Sequence, residues 1–292
     1  MNAKLQNDIN TFLSRRPEAV GIFGYGSGVN PQLGYDETTK RQIDLILAVD
    51  SPKEWHKRNM SDNPNDYAFS SKLFYTLAPI KVQEAGNKTC FLTYLQDEDI
   101  NNTFKLAIID KEWLLHDLRN WQTFYMAGRF QKPIEKIKTN ANFDAAIITN
   151  RISALRMAKY ILNNPDATKE EVYTAICSLS YMGDIRMMVA ENPNKVKNIV
   201  RANISRFDEM YGNLNINDEP DLPRELLLYL MNRKIEESTI AQNPKVIIDY
   251  LSNLNKKVST IQAAKGIFTT GPVKSLQYVI EKRKKFVTKS NA

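Results

Sequence analysis

The stretch AVGIFGYGSG, Ala19–Gly28, and the later run IDLILAV, Ile43–Val49, decide how the first half of the chain folds. Ala19–Gly24 is a short apolar run that stops at a glycine cluster, so it reads as a strand entering a tight loop. Ile43–Val49 reads as a second strand, apolar apart from Asp44. A helix begins directly after it. Ser51-Pro52-Lys53-Glu54 is a capping box with proline at the first helical position. Phe91–Leu95 and Phe104–Ile109 read as two further strands, and the acidic, turn-rich Gln96–Asn102 between them makes a hairpin.

From Lys111 onward the apolar period becomes 3.6. Thr168-Lys169-Glu170-Glu171 is a second capping box, opening a helix through Ser180. Asn194–Tyr211, Arg224–Lys234, Val246–Leu254 and Val273–Lys285 also read as helices, and Met1–Arg16 as a short helix that starts the fold. Strands crowd the first 110 residues and helices the last 150. Such segregation predicts an α+β protein whose second part is helical, with the boundary in the polar stretch between Lys132 and Phe143.

The 292 residues suffice for two domains, and 42% hydrophobic composition excludes a disordered chain. A net charge of +7 favours anionic partners (nucleotide, nucleic acid or acidic lipid), though plain soluble proteins carry as much. Cys90 and Cys177 form no CxxC, and His56 and His116 are far apart, which argues against structural zinc and fits a reducing cytoplasm. With no run of 18 apolar residues there is no transmembrane helix, so a membrane partner would be met peripherally.

Three glycines in Gly24-Tyr25-Gly26-Ser27-Gly28 let backbone N–H groups approach an anion, and the serine adds a donor. A tight turn explains the glycines equally well, and the loop is neither a P-loop nor GxGxxG. Asp44 sharpens the reading. A carboxylate inside an apolar strand is costly unless a cation or donor meets it, and nucleotidyl transfer needs a carboxylate to hold magnesium beside the triphosphate. Strand, Gly-Ser loop, then aspartate in the next strand is the nucleotidyltransferase arrangement. Its usual second acid, two residues on, is here Ile46, which leaves Asp50, Asp110 and Asp184 as candidate second ligands. Lys105, in the strand Phe104–Ile109, faces either the same pocket or solvent. In Trp121–Pro133 the pair Ala127-Gly128 permits close approach, and Arg129 and Lys132 supply phosphate-binding cations or ordinary surface charge. Gly183 reads as a helix stop, with Asp184 and Arg186 projecting from the turn. After Gly271-Pro272, six Lys or Arg and one Glu lie between Lys274 and Lys289. Val273, Leu276, Ile280 and Val287 share a helical face there, as in a basic amphipathic helix on an anionic bilayer or in a solvated tail.

Five blocks in order resemble the mitochondrial translocator assembly and maintenance proteins, a family of phosphatidate cytidylyltransferases. They are Tyr25-Gly26-Ser27-Gly28-Val29; Ile43-Asp44-Leu45 with Trp55-His56; Ala127–Pro133; Ser180–Met187; and Gly271–Leu276. The similarity runs from about Val20 to the C-terminus. It implies a nucleotidyltransferase domain with a mixed sheet (1–138), a helical, winged-helix-like domain (139–270) and a basic membrane-contact helix (271–292). It also implies CTP, magnesium, phosphatidic acid and an anionic membrane surface as ligands, with no nucleic acid. Asp44, Lys105 and Asp184 are then the catalytic candidates, with Asp44 on the metal. Tyr25, Gly26, Ser27 and Gly28 would bind nucleotide, and Arg129, Lys132, Arg186 and Lys274 phosphate or lipid. The later strand departs from the family, with Lys105-Leu106-Ala107 in place of Lys-Tyr-Gly. The lack of a presequence leads to the expectation of a bacterial relative, cytoplasmic and peripheral on the inner face of the plasma membrane. A nucleotidyltransferase acting on RNA and a non-catalytic lipid-binding assembly factor are the alternative readings.

Overall fold

The computed structural model describes residues 2–30, 42–67, 83–185, 187, 194–218, 221–240 and 242–270, with side chains up to 265. Five strands form one mixed sheet: β1 (Gly21–Tyr25), β2 (Gln42–Val49), β3 (Thr89–Asp97), β4 (Ile100–Asp110) and β5 (Glu135–Lys138), in the order β3-β4-β2-β1-β5. Strands β2 and β4 are parallel, and the other neighbours are antiparallel. The expected β3–β4 hairpin is present.

Alternation along β2 sorts the core onto two faces. Ile43, Leu45, Leu47 and Val49 join Phe104, Leu106 and Ile108 beneath α1 (Ala3–Ser14) and α2 (Pro52–Asp62). Phe12 of α1 stacks on Phe104 with ring centroids 3.8 Å apart. Helix α2 starts as its sequence predicts, with Ser51 Oγ accepting from the Glu54 N–H. On the other face Phe23, Ile46, Ala48, Ala107 and Ile109 pack under α3 (Lys111–Asn120) and, through Phe143, Ile147 and Val258, under two long helices, α5 (Ala141–Leu162) and α10 (Lys245–Thr270). Between α3 and α5 lies the short α4 (Ala127–Phe130).

A separate helical core is built from α5, α6 (Lys169–Leu179), α7 (Lys195–Ala202), α8 (Ile204–Tyr211), α9 (Arg224–Asn232) and α10. The Thr168 capping box is complete, with both reciprocal bonds present. Burial of apolar faces at roughly 25 cal/mol per Å² is the main force holding these layers together.

Two sequence expectations are corrected. Asn194–Tyr211 is two helices, because Asn203 turns its side chain back to donate to the Ile199 carbonyl at 2.9 Å. Helix α10 does not stop at Leu254. Some of the polar residues beyond it are buried: Asn255 donates to the Leu179 and Met182 carbonyls, and Lys265 to the Ala85 and Thr89 carbonyls. The polar stretch between Lys132 and Phe143 also contains a strand the sequence does not announce, β5, an edge strand on β1 that ends at Lys138. The basic C-terminal segment, 271–292, lies outside the described residues.

Candidate active site

Strand register builds the first wall of the site. Tyr25 on β1 is opposite Asp44 on β2, and Asp44 is beside Lys105 on β4. The three share a face with Phe23, Ile46 and Ala107, one row beyond that apolar layer. The core therefore ends where charge begins. Ile46, where the usual second acid would stand, is fully buried in that core. Lys105 Nζ is 3.4 Å from Asp44 Oδ1, with 23% and 22% of the two side chains exposed. The Tyr25 hydroxyl is buried and has no hydrogen-bond partner among the described residues. Burial pushes its pKa up, Lys105 opposes the rise, Asp44 adds to it and Arg129 opposes it.

The loop after β1 closes on itself, with the Gly26 carbonyl accepting from the Asn30 N–H at 2.8 Å. Gly26 has φ +75°, and a Cβ there would stand 3.0 Å from Asp44 Oδ2. Only glycine combines that conformation with that proximity to the carboxylate. Gly28 also has a steric task. It does not line the cavity, and a Cβ would lie 2.3 Å from the Gln42 carbonyl oxygen, so it lets the loop pass the start of β2.

The second wall comes from the segment between α3 and β5. Asp117, fully buried on α3, accepts from the Thr123 N–H and hydroxyl and from the N–H groups of Phe124, Met126 and Ala127. That carboxylate shapes the approach to α4 and so sets where Arg129 and Lys132 stand. Nothing in the sequence marks it, because an aspartate in an amphipathic helix reads as surface. The Arg129 guanidinium lies 3.8 Å over the Tyr125 ring and 5.7 Å from that of Tyr25. Lys132 Nζ donates to Ser180 Oγ at 2.6 Å and to the Gly128 carbonyl.

The third wall is the turn after α6. Gly128 packs so tightly on it that a Cβ would stand 2.4 Å from Ser180 Cβ, which is the close approach that Ala127-Gly128 predicts. Gly183 has φ +70° and faces the Ser252 carbonyl. Asp184 follows, 3% exposed.

These walls enclose a cavity of about 280 Å³. Tyr25, Gly26, Ser27, Asp44 and Lys105 line it from the sheet. Arg129, Lys132 and Asp184 line it from the other walls, as does Lys195, which the sequence did not single out. Arg186 and Lys274 lie outside the described residues. Asp50 and Asp110 are excluded as second ligands. Asp110 is five residues from Lys105 along β4, roughly 16 Å at the strand rise, and Asp50 pairs with Lys111 at that same end. Among the described residues no group of three or more His, Cys, Asp or Glu gathers as a metal cluster. A magnesium ion that takes one or two carboxylates and completes its shell with substrate phosphates needs no such cluster, and Asp44, lining the same cavity as Ser27, fits that requirement. His56 is buried against the Tyr67 hydroxyl at 2.9 Å, away from the cavity, and burial pushes its pKa down to about 3.

The family described as "Phosphatidate cytidylyltransferase, mitochondrial" (Tam41/Mmp37) matches residues 9–223 and 228–285. Proteins carrying that same name are similar over most of the chain. The Saccharomyces cerevisiae protein is 35% identical over 279 residues, covering 92% of this chain and 67% of its own length. The Danio rerio protein is 31% identical over 315 residues, 94% and 92%. The Mus musculus protein is 30% identical over 319 residues, 95% and 94%. These relatives are mitochondrial proteins of eukaryotes, which overturns the expectation of a bacterial protein at the inner face of the plasma membrane. That expectation rested on where the sequence begins, from which no address follows.

Proposed function

The chain belongs to the Tam41/Mmp37 family, and from that membership and its cavity we propose that it is a phosphatidate cytidylyltransferase. It transfers CMP from CTP to phosphatidic acid, giving CDP-diacylglycerol and pyrophosphate for phospholipid synthesis. The observation that carries the reading is the row Tyr25–Asp44–Lys105 beside the Gly26–Ser27 turn, in one cavity with Arg129 and Lys132. Four cations line that cavity (Lys105, Arg129, Lys132, Lys195) against two carboxylates, Asp44 and Asp184. That balance suits two phosphate-bearing substrates.

Gly26 and Ser27 offer backbone and hydroxyl donors to the β- and γ-phosphates. Asp44 would hold magnesium, which when bound neutralises triphosphate charge. An oxygen of the phosphatidate phosphate attacks the α-phosphorus. The new P–O bond forms as the bond to the β-phosphate bridging oxygen breaks, and pyrophosphate leaves. The nucleophile is already ionised near neutral pH, so no strong general base is required. Lys105, 3.4 Å from Asp44, is positioned to meet charge developing on the α-phosphate. Arg129 and Lys132 orient the phosphates, and Asp184 supplies the second carboxylate of the cavity. Rate then comes from positioning and charge neutralisation.

The nucleotidyltransferase fold is part of the proposal, supported by the mixed sheet with its Gly-Ser loop and strand aspartate. So is the division into 1–138, a winged-helix-like 139–270 and a membrane-contacting 271–292, supported by the separate helical core and by the six cations after Gly271. The test is mass spectrometry of the lipid fraction after incubation with CTP, Mg2+ and mixed phospholipids. CDP-diacylglycerol is the expected product; CTP turnover with no cytidylated lipid would sink the proposal.

A further inference from the structure

The helical wall of the cavity carries two cations close to one ring. Lys132 Nζ lies 5.0 Å and Lys195 Nζ 5.4 Å from the centre of the Tyr181 ring. Both lysines also draw down the pKa of the buried Cys177 thiol, which burial pushes up to about 11, so the two charges act on one small region. Lys195 is the first residue of α7, and Asn194 before it makes no side-chain capping bond. A lysine there stands at the positive end of the helix dipole, and two ammonium groups on one ring repel each other. Ile199 and Asn203, on the same helical row as Lys195, line the cavity too, so this face of α7 is turned inward.

A chain of contacts separates this cluster from the metal candidate. Lys105 meets Asp44. Tyr25, next to Asp44 in the ladder, lies under Arg129. Lys132, three residues on, reaches Ser180 and Tyr181. The lining of the cavity thus runs from Asp44 and the glycine loop, by way of Tyr25 and Arg129, to Tyr181 and the two lysines.

We infer that Lys132 and Lys195, both beside Tyr181, form a second phosphate subsite that receives the phosphate of the acceptor lipid while the triphosphate lies at Gly26, Ser27 and Asp44. This rests on the CMP-transfer reading above. A phosphomonoester carries close to two charges and three acceptor oxygens, and two lysines meet it as point charges. The remaining oxygen is then free to face the α-phosphorus. The γ-phosphate of CTP has similar chemistry, so the experiment must separate the two.

Initial rates of Lys195→Ala and Lys195→Arg, with dioctanoyl phosphatidic acid as a soluble acceptor, make that separation. Losing one charge-assisted contact should raise the KM for phosphatidic acid by roughly tenfold or more. The KM for CTP should hold at the wild-type value, and Lys195→Arg should recover most of the loss. A rise in the KM for CTP instead would overturn the assignment, as would no change in either. Melting temperatures report folding, with Lys195→Gln as the substitute if the alanine variant is unstable. A wild type that binds CTP but makes no cytidylated lipid would refute the transfer reading alone. Calorimetric binding of dioctanoyl phosphatidic acid to wild type and Lys195→Ala would then judge the subsite, and equal affinities would overturn it.

Discussion

Replacing Asp117 by asparagine keeps the volume of a fully buried side chain and removes one acceptor. Oδ1 accepts from the Thr123 N–H at 2.6 Å, the Thr123 hydroxyl at 2.9 Å and the Phe124 N–H at 2.9 Å. Oδ2 accepts from the Met126 N–H at 2.9 Å and the Ala127 N–H at 3.1 Å. Whichever way an amide sits, its NH2 faces two backbone N–H donors. Each buried donor left unsatisfied costs roughly 1–3 kcal/mol, so Asp117→Asn should lose about 2–6 kcal/mol. At roughly 2 °C per kcal/mol for a chain of this size, the melting temperature should fall by at least about 4 °C. Activity should fall further than stability, because the loop from Thr123 to Ala127 leads straight into Gly128 and Arg129. A displacement near 1 Å can cost on the order of 100-fold in turnover. Thermal unfolding by circular dichroism, with CTP-to-lipid turnover measured well below the transition, checks both. An unchanged melting temperature and rate would refute the view that this carboxylate organises the site.

The contact between Gly128 and Ser180 makes a second test. Gly128→Ala drives a Cβ to 2.4 Å from Ser180 Cβ, and overpacking of this kind costs roughly 1–3 kcal/mol. Adding Ser180→Gly should restore most of the lost melting temperature; no recovery would mean that the strain lies elsewhere. Lys265 gives a pH test. Burial holds its pKa down at about 8, against 10.5 for the exposed group. The folded state releases that proton first, so between pH 8 and 10.5 this group makes stability rise with pH. The stability difference between wild type and Lys265→Met should shift toward wild type across that window, and a flat difference would contradict the burial. Removing residues 271–292 takes away six cations that each contribute about 1 kcal/mol near an anionic surface. Co-sedimentation with anionic liposomes should weaken, most clearly at low salt, and undiminished binding would rule out this segment as the contact.

Much of the sheet was legible because its strands follow simple patterns. The apolar run of β2 with a single acid, and the glycine cluster after β1, located Asp44 and its loop from sequence alone. Their convergence needed the register, since nothing in one dimension says that Tyr25, Asp44 and Lys105 lie side by side across three strands. β5 was missed because EKIK on a sheet edge alternates half-buried and exposed positions and has no apolar run to detect. α10 was cut short at Leu254 because Asn255 and Lys265 look like surface and are instead bonded to buried carbonyls. Asp117 and Lys195 escape for a common reason: each is ordinary in its own helix and gains its role from residues outside that helix.

Asp44 bears most directly on the account. CTP labelled on the α-phosphate, supplied with Mg2+ and phosphatidic acid, should pass its label to the lipid with the wild type. Label on the γ-phosphate should appear only in pyrophosphate. Asp44→Asn, folded and with an unchanged melting temperature, should transfer neither. Labelled CDP-diacylglycerol formed at the wild-type rate by that variant would contradict the claim that this carboxylate and the neighbouring turn hold the nucleotide for transfer.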